Sequence, residues 1–256
     1  MTARIEDAGD RVIIWNGNDN KRGALSQAFY DAIAEAMALA QHPRIRAVIL
    51  TSQGGFFCAG GDLNVLVARR TLSEEARREK IDDLHDLIRS IRSCPVPVIA
   101  AVKGGAAGAG ASLALACDFI VAESGIMFTA SYVKAGLVPD AGLTASLARL
   151  VPRAMAMEMC LLARPVPTER LLGMGVVNVA APGDMVVAEA HAISDALAAG
   201  PRAAQGAIRA LVASAYDQSE AAQLDAERDA MARAAGGPEA AEGIAAFLEK
   251  RRPDFG

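Results

Sequence analysis

Two loops crowded with glycine and alanine constrain this chain more than any other feature. The first is Gln53-Gly-Gly-Phe-Phe-Cys-Ala-Gly-Gly-Asp62, which follows the apolar run Ile45–Thr51. The second is Lys103-Gly-Gly-Ala-Ala-Gly-Ala-Gly110, which follows Pro97–Val102 and runs straight into the apolar segment Ala111–Cys117. Short β-rich apolar runs of this kind read as strands buried on both faces. Each loop therefore sits between a buried strand and the start of a helix. Small residues let the backbone come close to a ligand, and a helix N-terminus presents unpaired N–H groups with a partial positive charge. Two such donors aimed at one point make an oxyanion hole. The same glycines taken singly would also serve tight turns.

The rest of the chain fits an α/β reading. Arg11–Asn16 predicts a strand, and the polar stretch Gly17–Gly23 a loop. Ser26 is placed to cap a helix whose face carries Phe29, Ile33 and Met37. Residues 63–93 read as helical and charged, and Phe119–Ala122 as a strand. This alternation continues to about residue 180 and argues for an α/β fold. From Asp184 onward alanine-rich amphipathic helices dominate, broken at Gly200-Pro201 and Gly236-Gly237-Pro238. The expected division is a core over residues 1–190 and a helical oligomerisation region over 191–256.

Composition excludes several classes. A 256-residue chain that is 52% hydrophobic can bury a substantial core. Its net charge of −4, with no basic run longer than Lys250-Arg251-Arg252, and its few aromatics give nucleic acid no purchase. No apolar leader or membrane-length run is present, so a cytoplasmic protein without membrane partners is expected. Cys58, Cys94, Cys117 and Cys160 form no CxxC and read as free, mostly buried thiols. Widely spaced histidines and the absence of HExxH predict no metal site, and His42 and His191 read as surface residues. The second loop is not a dinucleotide fingerprint, because Gly108-Ala-Gly110 lacks the third glycine. A Walker loop is excluded by the absence of Gly-Lys, and a nucleophile elbow fails at Ala114.

Taken together, the motifs resemble the crotonase (enoyl-CoA hydratase/isomerase) superfamily. Phe57-Cys-Ala-Gly-Gly-Asp-Leu63 resembles its first signature. Pro97 through Gly110, continuing to Ala116-Cys-Asp118, resembles the second, and Gly136-Leu-Val-Pro-Asp-Ala-Gly142 the third. Lys21-Arg-Gly-Ala-Leu25 is similar to the N-terminal coenzyme A contact, with Gly23 where Asn is usual. Glu242 through Arg251 is similar to the family's C-terminus. The resemblance implies a ββα spiral core with an α-helical C-terminal region that builds a homotrimer or a dimer of trimers. It implies an acyl-CoA substrate and no cofactor beyond that substrate's coenzyme A moiety. The oxyanion donors it implies are the N–H groups of Gly61 and Ala109. Coenzyme A contacts carry over to Lys21, Arg22 and Ala24, and to Ala59, Gly61, Asp62, Leu63 and Gly108 around the two loops. Phe247 and Lys250 match C-terminal residues that reach the adenine end, often from a neighbouring subunit.

The resemblance also narrows the chemistry. Hydratases of the family use two glutamates, and here those positions hold Ser112 and Tyr132. What remains is Asp140, where isomerase-like members carry a carboxylate that moves a proton along the acyl chain. Asp140 could alternatively cap a helix over Ala141–Leu150. The combination resembles the isomerase branch of phenylacetate breakdown, acting on a double bond or a ring epoxide. A dehalogenase branch carries His, an aromatic and Asp at the places of His85, Tyr132 and Asp140, which keeps aromatic displacement open. His85 is thus a candidate for catalysis or half-buried packing, and Tyr132 for pocket wall or acid. A hydratase with non-standard groups and a non-catalytic acyl-CoA binder also stay open. Asp62 is expected to cap a helix, and Asp118 to be structural.

Overall fold

Side chains alternate across a strand, and that alternation divides the core in two. In the computed structural model, which describes residues 3–256, β1 (Arg4–Asp7) pairs antiparallel with β2 (Arg11–Asn16). Parallel to β2 follow β3 (Ala47–Ser52) and β4 (Val98–Val102). The two-residue strand β5 (Ala106–Ala107) leaves this sheet, and β6 (Phe119–Glu123) returns to it beside β4. Strands β7 (Met127–Thr129) and β8 (Val166–Pro167) join β5 in a second, smaller sheet. β9 (Val179–Ala181) completes the large sheet. A turn of the chain thus gives a strand to each sheet and then a helix, the expected ββα spiral. In an earlier turn a single bridge from Cys58 to Ala106 replaces the short strand.

The helices are α1 (Gln27–Leu39), α2 (Leu63–Arg69), α3 (Glu74–Arg92), α4 (Ala109–Ala116), α5 (Leu143–Leu150), α6 (Arg153–Leu162), α7 (Thr168–Leu172) and α8 (Val186–Ala198), then α9 (Arg202–Ser214), α10 (Glu220–Ala235) and α11 (Pro238–Glu249). Ser26 caps α1 as expected, accepting from the Phe29 N–H. The helical stretch expected over 63–93 is two helices, because Ser73 caps a new start by accepting from the Ala76 N–H. Asp62 caps the first of them, accepting from the Asn64 N–H at 2.9 Å.

Val12, Ile14, Val48, Leu50 and Val98 turn one way, onto Phe29, Ile33, Leu87, Ile88 and Leu113 from α1, α3 and α4. Ile13, Ile49, Ile99 and Val121 turn the other way, onto Val186 and Ala190 of α8. Burial on both faces explains why these strands read as continuous apolar runs. Each fully buried branched side chain contributes about 1.5–3 kcal/mol. The division expected between residues 190 and 191 falls inside α8. His191, expected at the surface, is half-buried, its Nδ1 3.3 Å from Arg11 Nη1, because α8 packs on the sheet.

A half-buried arginine ties the tail to the core. Arg209 on α9 donates to the Ile91, Arg92 and Cys94 carbonyls at the end of α3, and to Asp118 at 2.6 Å. Asp118 also accepts from the Val98 N–H, consistent with the structural role expected of it. Among the described residues no helix is long and apolar enough to cross a membrane.

Candidate active site

The two glycine loops meet. Ala107 N–H donates to Cys58 O at 3.0 Å, and a methyl added to Gly60 would lie 2.8 Å from Ala107 O and 3.1 Å from the Ala109 nitrogen. A methyl on Gly110 would strike Cys58 O at 2.1 Å. Glycine at both positions is what lets the two backbones touch. Gly108 stands at φ 53°, ψ −127°, a combination that other residues avoid, and it turns the chain into α4. Ala109 is the first residue of that helix, so its N–H has no intrahelical acceptor. Gly61 and Ala109 thus lie on facing loops, and neither N–H donates to a carbonyl of the described chain.

Beside α4 lies a polar cluster. Ser112, fully buried, stands 3.3 Å from Tyr132 Oη and 3.3 Å from the Asp140 carbonyl. Tyr132 Oη donates to Asp140 Oδ1 at 2.7 Å. The phenol's one hydrogen is committed there, so the serine's one hydrogen is shared among Tyr132 Oη, the Asp140 carbonyl and the Gly108 carbonyl at 3.4 Å. Burial, and then the Asp140 carboxylate beside it, push the Tyr132 phenol far above its ordinary pKa, which keeps it a donor. Asp140 is half-buried.

The segment after Asp140 differs from expectation. The helix begins at Leu143 rather than Ala141, because Ala141 (φ 50°) and Gly142 (φ 73°) are both left-handed. Asp140 does not cap it. Its side chain points back to Tyr132. Holding Ala141 in that region costs on the order of 1 kcal/mol. Two residues of α3 reach this turn. His85 Nε2 accepts from the Ala141 N–H at 3.3 Å, and Arg92 donates to Ser146 Oγ at 2.9 Å.

The N-terminal loop is stitched to the first glycine loop. Ala59 N–H donates to Arg22 O, and Leu25 N–H to Gly60 O. Asn16, buried at the end of β2, donates to Gly23 O and Phe57 O. Gly23, the departure from the family's Asn, has φ 68°, and a methyl there would meet Phe57 O at 2.6 Å. Lys21 Nζ pairs with Asp62 at 2.5 Å and holds that carboxyl below its usual range. Arg22 lies over the Phe56 ring at 4.1 Å. Ala24 N–H is committed to Lys21 O, and its carbonyl accepts from Asn18 Nδ2 at 2.7 Å with a second lone pair left over. Leu63 is exposed on α2, a helix that buries none of its residues.

Of the residues expected at the site, the structure gathers Gly61, Ala109, Gly108, Ala59 and Asp62 around the two loops. Lys21, Arg22 and Ala24 flank them, and Tyr132, Asp140 and His85 stand at the third signature. Phe247 and Lys250 are not brought there within this chain: Phe247 is 84% exposed on α11, and among the described residues no ion pair joins Lys250 to the N-terminal loop. Sequence reasoning assigned Ser112 no place beside Asp140, although its position as a lost glutamate was a signal. Asn16 carried only the weak signal of a polar residue ending an apolar strand. Among the described residues no three His, Cys, Asp or Glu side chains are grouped to hold a metal ion.

The chain is similar to known proteins along its length. The sequence pattern of the family described as enoyl-CoA hydratase/isomerase matches residues 16–256. The chain is 35% identical to the 1,2-epoxyphenylacetyl-CoA isomerase of Escherichia coli, over 82% of this chain and 81% of that protein. It is 33% identical to the 2,3-dehydroadipyl-CoA hydratase of the same organism, over 100% and 99%. The solved structure of an enoyl-CoA hydratase from Polaromonas sp. JS666 superposes with a TM-score of 0.95 at 41% identity, covering 99% of each chain.

Proposed function

The chain belongs to the enoyl-CoA hydratase/isomerase family, and from that premise we propose that it isomerises an enoyl-CoA thioester with Asp140 as the proton carrier. The observation that carries this reading is the replacement of both hydratase glutamates by Ser112 and Tyr132, with Asp140 hydrogen-bonded to that same tyrosine. Water addition needs one group to activate water and another to protonate carbon. A single carboxylate suits a reaction that takes one proton and returns it.

In a 3-enoyl thioester the Asp140 carboxylate removes a proton from C2. The C–H electrons form a dienolate whose charge sits on the thioester oxygen. Gly61 and Ala109 N–H groups donate to that oxygen, a contribution of about 3 kcal/mol per well-placed donor. Asp140 then returns its proton to C4, and the double bond rests between C2 and C3. The same donors would stabilise charge during opening of a ring epoxide conjugated to the thioester.

Lys21 and Arg22 offer cationic ends to the coenzyme A phosphates, Lys21 by sharing its charge with Asp62. The Ala24 carbonyl is suited to an adenine amino group. Leu63, Val65 and Val67, exposed on α2, supply apolar surface for the acyl chain. Exposed Ile208, Val212, Ile244, Phe247 and Leu248 on α9 and α11 are the surface for assembly into a homotrimer or a dimer of trimers, in which Phe247 and Lys250 reach a neighbour's adenine site.

The test is incubation with a 3-enoyl-CoA and, separately, a 2-enoyl-CoA in D2O, followed by proton NMR and mass. A moved double bond with deuterium incorporation and no added water is expected. Asp140→Asn should abolish both while binding of a saturated acyl-CoA persists. Net addition of water to the 2-enoyl substrate would sink the isomerase in favour of a hydratase, the reaction named for the second E. coli relative.

A further inference from the structure

We propose that His85 is a positioning residue that acts on Asp140 through the backbone of Ala141, rather than a catalytic base. The proposal rests on the reading of Asp140 as the proton carrier. Its Nε2 accepts a hydrogen from the Ala141 N–H at 3.3 Å. A ring nitrogen that accepts carries no hydrogen, so the imidazole's hydrogen is on Nδ1, which faces Asp82 Oδ1 at 3.9 Å. The structure thus uses His85 Nε2 as an acceptor.

What it holds is a strained turn. Ala141 has φ 50°, a conformation alanine rarely adopts unless its surroundings fix it. Asp140 immediately precedes that residue, so rotation at Ala141 swings the carboxylate. The helix that follows has no side-chain cap, and its first residue, Leu143, lies beyond Gly142, also left-handed. Locally the turn is closed by a backbone bond, Leu143 N–H to Asp140 O at 3.1 Å. α3 holds it from outside. His85 and Arg92 are seven residues apart on one face of that helix, and they grip Ala141 N–H and Ser146 Oγ at the two sides of the helix start. Leu84, Leu87, Ile88 and Ile91 bury α3 in the core, so the grip is rigid. Tyr132 holds Asp140 Oδ1 from the other side. The carboxylate is fixed from both directions, with Oδ2 left to meet substrate.

The experiment is a variant series in the D2O exchange assay, with binding of butyryl-CoA measured alongside. His85→Ala should lower kcat by about 10- to 100-fold, the scale of a small misplacement of a reacting group, with KM and butyryl-CoA affinity within about twofold. His85→Gln places an amide oxygen near the Nε2 position and should restore most of kcat. His85→Lys, which offers only donors, should be as slow as His85→Ala. Adding Ala141→Gly to His85→Ala removes the penalty of the left-handed turn and should recover part of the rate. A His85→Gln variant as slow as His85→Ala would overturn the proposal, since the imidazole would then be moving protons itself. Unchanged kcat in His85→Ala would overturn it as well. Asp140→Asn in the same assay separates the two levels. Exchange that survives there defeats the reading of Asp140, whereas its loss with a fully active His85→Ala defeats only the positioning role.

Discussion

Tyr132 has one hydrogen to give, and at 2.7 Å Asp140 receives it. A hydrogen bond to a charged group contributes about 1.5–3 kcal/mol, so Tyr132→Phe should slow proton transfer by about 10- to 100-fold if the bond is stronger while the carboxylate is being aligned. Steady-state kcat with a 3-enoyl-CoA checks this, and an unchanged value would reduce Tyr132 to pocket wall. The sign of its pKa shift adds a pH expectation. Burial raises the phenol, so the donor persists as pH climbs through the ordinary tyrosine range near ~10, and no alkaline fall in kcat belongs to this residue there. A downward shift would have given the reverse. Asp140 was readable as a candidate because it sits inside a motif. Its partners were not, because hydrogen bonds from Tyr132, eight positions earlier, and from Ser112 on another helix depend on how the third signature folds back over α4. The helix cap suggested for Asp140 failed for the same reason: a left-handed pair at Ala141 and Gly142 leaves no sign in composition beyond the glycine.

At the scale of elements, α4 is aimed by Gly108. Its φ of 53° and ψ of −127° are open to glycine alone, yet a methyl there has room, with Ser131 Oγ nearest at 3.4 Å. Gly108→Ala therefore acts through conformation rather than collision. It should cost about 1–3 kcal/mol of stability and, by rotating the Ala109 N–H, lose activity in the folded fraction. Chemical denaturation and kcat of the same preparation test the two effects. Equal stability with full activity would mean that α4 tolerates another entry. Strands and helices were legible here because both faces of the sheet are buried and the apolar runs are unbroken. The break of the 63–93 stretch at Ser73 was less so. Ser73 precedes Glu74 and Glu75, a fair helix start, but the charged stretch around it masks one.

For the molecule as a whole, the tail braces the end of α3. Arg209 on α9 satisfies three carbonyls where α3 ends, and its side chain is only 9% exposed in its pair with Asp118. Removing it leaves three bare carbonyls, so Arg209→Ala should cost about 1–3 kcal/mol. Because α3 carries His85 and Arg92, kcat should fall too, at temperatures where the protein stays folded. Thermal melts with activity below the transition decide this, and lost stability with full kcat would uncouple tail from site. The sequence made the tail visible as helices but not as a brace. A lone arginine in an amphipathic helix gives no hint of carbonyls more than a hundred positions earlier.

The contact between Cys58 and Ala106 also says something about time. Everything that gives Ala109 and Gly61 a common target comes from segments far apart in the chain, so closing that contact carries the entropy of a long loop before any reward arrives. A growing chain that has completed the first glycine loop holds one donor and no site. The candidate site therefore exists only in a chain that has wound through successive turns in the right register.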